Sequence, residues 1–297
     1  MAEKTIELLS PAGDMERLRM SLAYGADAVY LGGPAFGARA NAQNFSREEL
    51  AQAVEFCHAR GVRVHVTVNI LLKEKELPQA LEFAEYLCSL PVDAVLVQDV
   101  GLFSLLRQRA PRLPLHASTQ MSLHTPAGAK LLWELGAQRV VLSREMSLGE
   151  IREVGQACPV ELESFVHGAL CMSVSGQCQL SAMLGGRSGN RGACAGPCRL
   201  PFDASAGLKP GQPGKACHLS LKDMDYIPHL RELMDAGVAS VKIEGRLRTP
   251  EYAAAVVTAC RAVCAGQPYD EKLVRDIFSR SGFTDGYLCL LYTSPSP

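Results

Sequence analysis

The amino-acid sequence predicts an α/β protein, a (β/α)8 TIM-barrel-like fold with a cysteine-rich insertion after the seventh strand. Three observations carry that prediction. A unit of helix-like stretch, small turn and short apolar strand recurs as YGADAVYLGG (24–33), LPVDAVLVQD (90–99), LGAQRVVLSRE (135–145) and AGVASVKIEGR (236–246). Its strands are almost wholly apolar, as strands buried on both faces of a parallel sheet are. Nearly every strand then ends in a polar residue or glycine, which in a barrel lines the catalytic mouth at the C-terminal edge of the strands.

Taken in order, strands are expected at Ile6–Leu9, Ala28–Leu31, Val62–Val68, Ala94–Val97, Pro114–Ala117, Val140–Leu142, Val160–Val166 and Val241–Ile243. Helical periodicity fills the gaps at Met15–Ala23, Arg47–Arg60, Glu76–Cys88, Gly101–Arg109, Pro126–Leu135, Leu148–Ala157, Ile227–Ala236 and Pro250–Cys264. Gly25, Gly136 and Gly237 stand where a left-handed residue would cap a helix. A doubly wound sheet is the alternative, but no G-x-G-x-x-G follows any strand to recommend a dinucleotide fold. Residues 1–286 read as one domain. Segment 168–224 lacks the barrel period and reads as a long cover over the mouth. The final stretch, 287–297, has neither helical nor strand period and looks like a translated adapter rather than native sequence. On that reading, the native C-terminal region is missing.

Composition narrows the function. Hydrophobic residues make up 47% and charged residues 21%, which suits a soluble globular protein with a sizeable core. A net charge of −1 gives no global field for nucleic acid, although Arg187, Arg191 and Arg199 form a local basic group. No apolar run approaches the roughly 18 residues of a membrane span, and the N-terminus carries no secretion signal. A cytoplasmic location without a membrane partner is therefore expected. There, eleven cysteines read as thiols and ligands rather than disulfides.

Four of them, Cys171, Cys178, Cys194 and Cys198, follow C-x6-C-x15-C-x3-C in a loop rich in Gly, Ser, Asn and Arg. Such thiolates can surround a soft metal. A structural zinc site usually shows two short knuckles, and only Cys194–Cys198 resembles one. Iron–sulfur clusters tolerate uneven spacing. Both metals stay open on spacing alone, with Cys217 in reserve as a ligand.

The string ESFVHGALCMSVSGQCQLS closely resembles the signature of peptidase family U-32, the collagenase-like proteins. The similarity also takes in ELLSPAGD (7–14), GGPAFGARANAQNF (32–45), LHASTQ (115–120), GRSGNRGACAGPCRLPF (186–202) and SVKIEGR (240–246). Within the family the chain looks most like the branch that hydroxylates a cytidine of large-subunit ribosomal RNA to 5-hydroxycytidine. A sister branch makes 5-hydroxyuridine in transfer RNA. The resemblance implies a 4Fe–4S cluster on Cys171, Cys178, Cys194 and Cys198, prephenate as co-substrate, and RNA as partner. Collagenase-like proteolysis is the second expectation, and a zinc-stapled binding module the third.

Other candidates come from strand ends. His167 precedes the cysteine loop and could move a proton. Lys242 and Glu244 alternate with Val241 and Ile243, so they share one face. These three are the catalytic candidates, with an ion pair that fixes the strand as the competing role of the last two. For substrate binding the expected residues are Arg39 and Asn41, His116, Ser118 and Gln120, Arg187 and Arg191, and Arg246. Arginine's planar fork suits a dicarboxylate such as prephenate.

Overall fold

The computed structural model describes residues 6–39, 42–174, 177–203 and 215–289. Eight parallel strands form the barrel: β1 (Glu7–Pro11), β2 (Ala28–Gly32), β3 (Arg63–Val68), β4 (Ala94–Val97), β5 (Leu115–Ala117), β6 (Arg139–Val141), β7 (Glu161–Ala169) and β8 (Val238–Ile243). Each pairs with the next, and β8 closes the ring by pairing with both β7 and β1, with Val241 opposite Ser164 and Leu8. The doubly wound alternative is thereby excluded. β8 begins at Val238, three residues before the expected Val241, because Val238 already pairs with Leu162 of β7.

Helices pack outside. α1 (Met15–Ala23), α2 (Arg47–His58), α3 (Leu77–Ser89), α4 (Val100–Arg109), α5 (Pro126–Glu134) and α6 (Leu148–Ala157) each link consecutive strands. Their starts are written locally. Asp14 and Asp99 accept from the backbone amides of Arg17 and Leu102, and Ser46 with Glu49 and Ser147 with Glu150 form capping boxes. Their ends are too: Gly25, Gly136 and Gly237 have φ of +94°, +96° and +98°. A side chain there would resist that turn. One apolar core fills the space between strands and helices, from Leu8 and Val29 to Val241 and Val256. Among the described residues no helix is long and apolar enough to cross a membrane.

Between β7 and β8 lies the cysteine-bearing cover. It contains α7 (Leu180–Gly185), short turns at Gly189–Arg191 and Pro197–Arg199, and a two-residue ladder of Phe202–Asp203 with Lys215–Ala216. Asp223–Asp225 then runs antiparallel to the end of β7 and returns the chain to the barrel. α8 (Leu230–Asp235) leads into β8, and α9 (Pro250–Cys264) and α10 (Glu271–Ile277) follow it. Of the stretch expected to be foreign, Tyr287–Cys289 belongs to a helical turn, Gly286–Cys289, that buries Leu288 at 2% exposure. Residues 290–297 lie outside the described residues.

Candidate active site at the barrel mouth

The strand ends and the cover enclose a cavity of about 290 Å3. Inward residues of the strands line it: Tyr30, Thr67, Phe165, Lys242 and Glu244, with Asn69, Ser118, Gln120, Arg144 and Arg246 at the rim. Arg39 enters from the loop after β2, and Cys171, Cys178 and Cys194 come from the cover. Residues remote in sequence therefore share one space because a barrel sends all its βα loops to one end.

Four cations line the cavity: Arg39, Arg144, Lys242 and Arg246. Arg246 is buried, and its Nη1 donates to Thr67 Oγ1 at 3.1 Å. Burial, then the like charge of Arg39, pulls its pKa down to about 10. Arg144 lies over the Phe165 ring at 3.9 Å, and its Nε has no hydrogen-bond partner. Arg39, half-exposed, reaches Glu244 Oε1 with Nη2 at 2.8 Å. Burial favours the neutral form of Glu244, but the charges of Arg39 and Arg144 outweigh it and the pKa falls below the ordinary carboxylate value. Lys242 donates to Glu163 Oε1 at 2.9 Å and sits 4.4 Å from the Tyr30 ring centroid. Burial lowers the pKa of Lys242 despite that partner. Counting Glu163 and Glu244 against Arg39, Arg144, Arg246 and Lys242 leaves an excess of two positive charges.

The four cysteines are grouped and none is in a disulfide. Burial raises the Cys198 thiol, Arg199 draws it down, and Cys171, Cys194 and Cys178 raise it again, so Cys198 sits within the field of the other three sulfurs. Cys217 is not among them; it is exposed and its thiol donates to the Arg199 carbonyl at 3.4 Å. Backbone amides already point at two sulfurs, Leu180 N to Cys178 Sγ at 3.4 Å and Gly196 N to Cys194 Sγ at 3.3 Å. Such bonds accompany thiolates that hold iron–sulfur clusters and tune their potential. The donor set thus fits the expected group. A single tetrahedral zinc would need sulfurs about 4 Å apart. Among the described residues, the ligand groups gathered within 4.8 Å are His65–His116–Glu163 and His229–Asp285–Cys289, not the cysteines.

Several expected site residues lie elsewhere. His167 is fully buried but outside the cavity. By simple alternation it should face inward with Glu163 and Phe165. Against β8, however, Phe165 pairs with Lys242 and His167 with the very next residue, Ile243. This bulge places an extra residue in β7 and turns His167 outward. There it meets Phe283 edge-on at 5.0 Å, and its Nδ1 bonds the Tyr252 hydroxyl at 2.9 Å. That hydroxyl donates its single proton to the Glu244 carbonyl, so His167 Nδ1 is the donor to it. Burial drops the His167 pKa to about 3. It supports the backbone of Glu244 rather than touching the cavity.

His116 lies beneath the cavity, one inward position below Ser118. Arg191 is taken up by Glu76, with Nη2 to Oε1 at 2.7 Å and Nη1 to Oε2 at 3.1 Å. Arg199 binds the Leu170 and Leu221 carbonyls and Ser220 Oγ. Both arginines pin the cover down. Arg187 is exposed and donates to the Ala193 carbonyl at 3.0 Å. Asn41 lies outside the described residues. Conversely, the sequence does not single out Arg144, Tyr30, Thr67 or Phe165, all of which line the cavity. The inward position of the last three, two residues apart from other inward residues of an apolar strand, was the available signal.

The sequence profile of Peptidase family U32 matches residues 13–293. The chain belongs to that family. It is 44% identical over 251 residues to the 23S rRNA 5-hydroxycytidine C2501 synthase of Escherichia coli strain K12, covering 83% of this chain and 37% of that protein. It is 38% identical over 266 residues to the tRNA hydroxylation protein P1 of Bacillus subtilis strain 168, covering 88% and 63%. A protein named Collagenase from Porphyromonas gingivalis is 34% identical over 310 residues, covering 95% and 73%. The chain thus spans less than two thirds of the length of the first two relatives. Among solved structures, the U32 peptidase Mk0906 matches with a TM-score of 0.54 at 15% identity over 82% of this chain and 94% of that one, which supports the barrel fold.

Proposed function

We propose that this U32 chain hydroxylates a pyrimidine base of RNA, using a small dicarboxylate of the prephenate type held beside a 4Fe–4S cluster. The observation that carries this reading is one cavity shared by three cysteines and four cations. The relatives named for rRNA and tRNA hydroxylation support the reaction class. Such a cluster, when bound on Cys171, Cys178, Cys194 and Cys198, supplies one-electron chemistry at the cavity wall.

The chain's own groups do the rest. Arg246 and Arg144 each have donors to spare and would take the two carboxylates, because a guanidinium matches a carboxylate bidentately. Arg39 is held by Glu244 and lies within the field of the Cys194 sulfur. Glu244 is the carboxylate lining the cavity among the described residues, held ionised by Arg39 and Arg144, and would accept a proton at Oε2. Phe165 and Tyr30 complete the wall beside it, with Arg144 over the first ring and Lys242 over the second, so their rings hold these two cations at the cavity. For proteolysis the cavity offers less: Ser118 Oγ is engaged by the Gln120 amide at 3.3 Å and Asn69 Nδ2 at 3.5 Å, and among the described residues no histidine lines the cavity.

Anaerobically purified protein should carry iron and sulfide in about equal, near-fourfold amounts per chain. RNA from a deletion strain should lack one hydroxypyrimidine by mass spectrometry. Arg246→Lys and Arg144→Lys should keep the iron but lose the modification. Iron-free protein, or RNA unchanged by the deletion, would sink the reading.

A further inference from the structure

Directly beneath the cavity floor the barrel interior is unusually polar. His65, His116 and Glu163 sit on β3, β5 and β7, each two residues before a cavity-lining residue: Thr67, Ser118 and Phe165. Alternation puts members of each pair on the same face. The three therefore form one layer drawn from alternate strands, a place where such barrels normally stack Val, Ile or Leu. Their exposures are 2%, 5% and 0%.

Two facts about this layer call for an occupant. One imidazole nitrogen or carboxylate oxygen from each residue lies within 4.8 Å of the others. In addition, His65 Nδ1 and His116 Nδ1 are both buried and have no hydrogen-bond partner. The rings meet edge-on at 5.0 Å rather than bonding each other. An unpaired buried polar atom is costly, and two in one layer are rarely left without a purpose.

We infer that His65, His116 and Glu163 bind one divalent first-row transition ion of the iron(II) or manganese(II) class. Two imidazoles and one carboxylate on one side of an ion, with other positions open, are the donor set those ions take. Glu163 keeps lone pairs for this purpose, since a carboxylate has about four acceptor directions. Two are used by Lys242 at 2.9 Å and Arg139 Nη1 at 3.1 Å. Those donors hold the carboxylate in place, as outer partners of metal ligands do. Arg139 is in turn offset by Glu7 Oε1 at 2.5 Å. The nearby cations still oppose a dication, so the affinity is set by the imidazoles and should be modest. Lys242 touches both Glu163 and the cavity, which places the ion just under the substrate space. This site is independent of the reading given to the cavity and cysteines above it.

Manganese(II) is the probe, because its spin resonance reports binding beside a diamagnetic cluster and it favours carboxylate and imidazole over thiolate. Protein as purified, with or without a cluster and cleared of loose metal, should bind about one equivalent and show echo modulation from directly bound imidazole nitrogen. His65→Gln and His116→Gln should each weaken binding by at least roughly tenfold and lose that modulation, while His124→Gln changes neither. Circular dichroism screens the variants for folding, and the wild-type nitrogen signal decides for any that fail. The inference is overturned if folded wild-type protein binds no manganese, binds it without imidazole modulation, or if both substitutions leave binding unchanged; the two nitrogens would then share a buried water.

Discussion

At the scale of single residues, the cover depends on backbone that only glycine supplies. Gly192 has φ of +80°, and a Cβ there would stand 2.6 Å from the Gly37 carbonyl oxygen. Gly186 has a similar φ of +68° but open space around it. The pair separates conformational strain from collision. Gly186→Ala should cost about 1 kcal/mol in a urea titration, the penalty of a left-handed alanine. Gly192→Ala should cost more, on the order of 2–3 kcal/mol, because the cover must also lift from the loop after β2. Equal costs would show that the contact with Gly37 contributes nothing.

Among elements, the strands and helices were legible because each carries its own period and its own caps. Ala94–Val97 is bounded as expected, and the glycines close the helices they were expected to close. The inward set on β8, Lys242 and Glu244, was readable for the same reason. His167 was not, since the bulge that turns it outward is a relation between β7 and β8 rather than a pattern within β7. Nor could the roles of the cover arginines be read from a glycine-rich string; their partners, Glu76, Leu170 and Leu221, belong to other segments. Arg199 ties the two ends of the cover together at buried Leu170 and Leu221. Arg199→Ala leaves those carbonyls unpaired, at a cost of about 2 kcal/mol to local opening. Amide hydrogen exchange in 170–172 and 220–222 should then speed up by roughly thirtyfold, with β2 to β4 unaffected. Uniform acceleration throughout the barrel would contradict a local clamp.

Taken as a whole, the barrel encloses charges whose partners come from distant strands. Arg139 on β6 reaches Glu7 on β1 and Glu163 on β7, and Lys242 on β8 completes the chain. No local pattern encodes such a set, because only closure of the ring brings the strands together. Burial of titratable groups also ties the stability of the whole fold to pH, and His167 shows the sign. Its folded pKa is about 3 against an ordinary 6.5, depressed by burial. Between those values the unfolded chain takes up a proton that the folded one refuses, so stability falls as pH drops below about 6.5. The contribution is about 1.4 kcal/mol per pH unit, which makes about 2 kcal/mol between pH 7 and pH 5. It is fully expressed only near pH 3. His167→Gln keeps a donor for Tyr252 but cannot titrate. Unfolding free energies of the two proteins, measured at pH 7 and pH 5, should therefore converge or cross as the pH falls, the wild type losing about 2 kcal/mol more than the variant. A constant gap between them would mean that His167 is protonated in the folded barrel, and the hydroxyl of Tyr252 would then not be all that holds its ring.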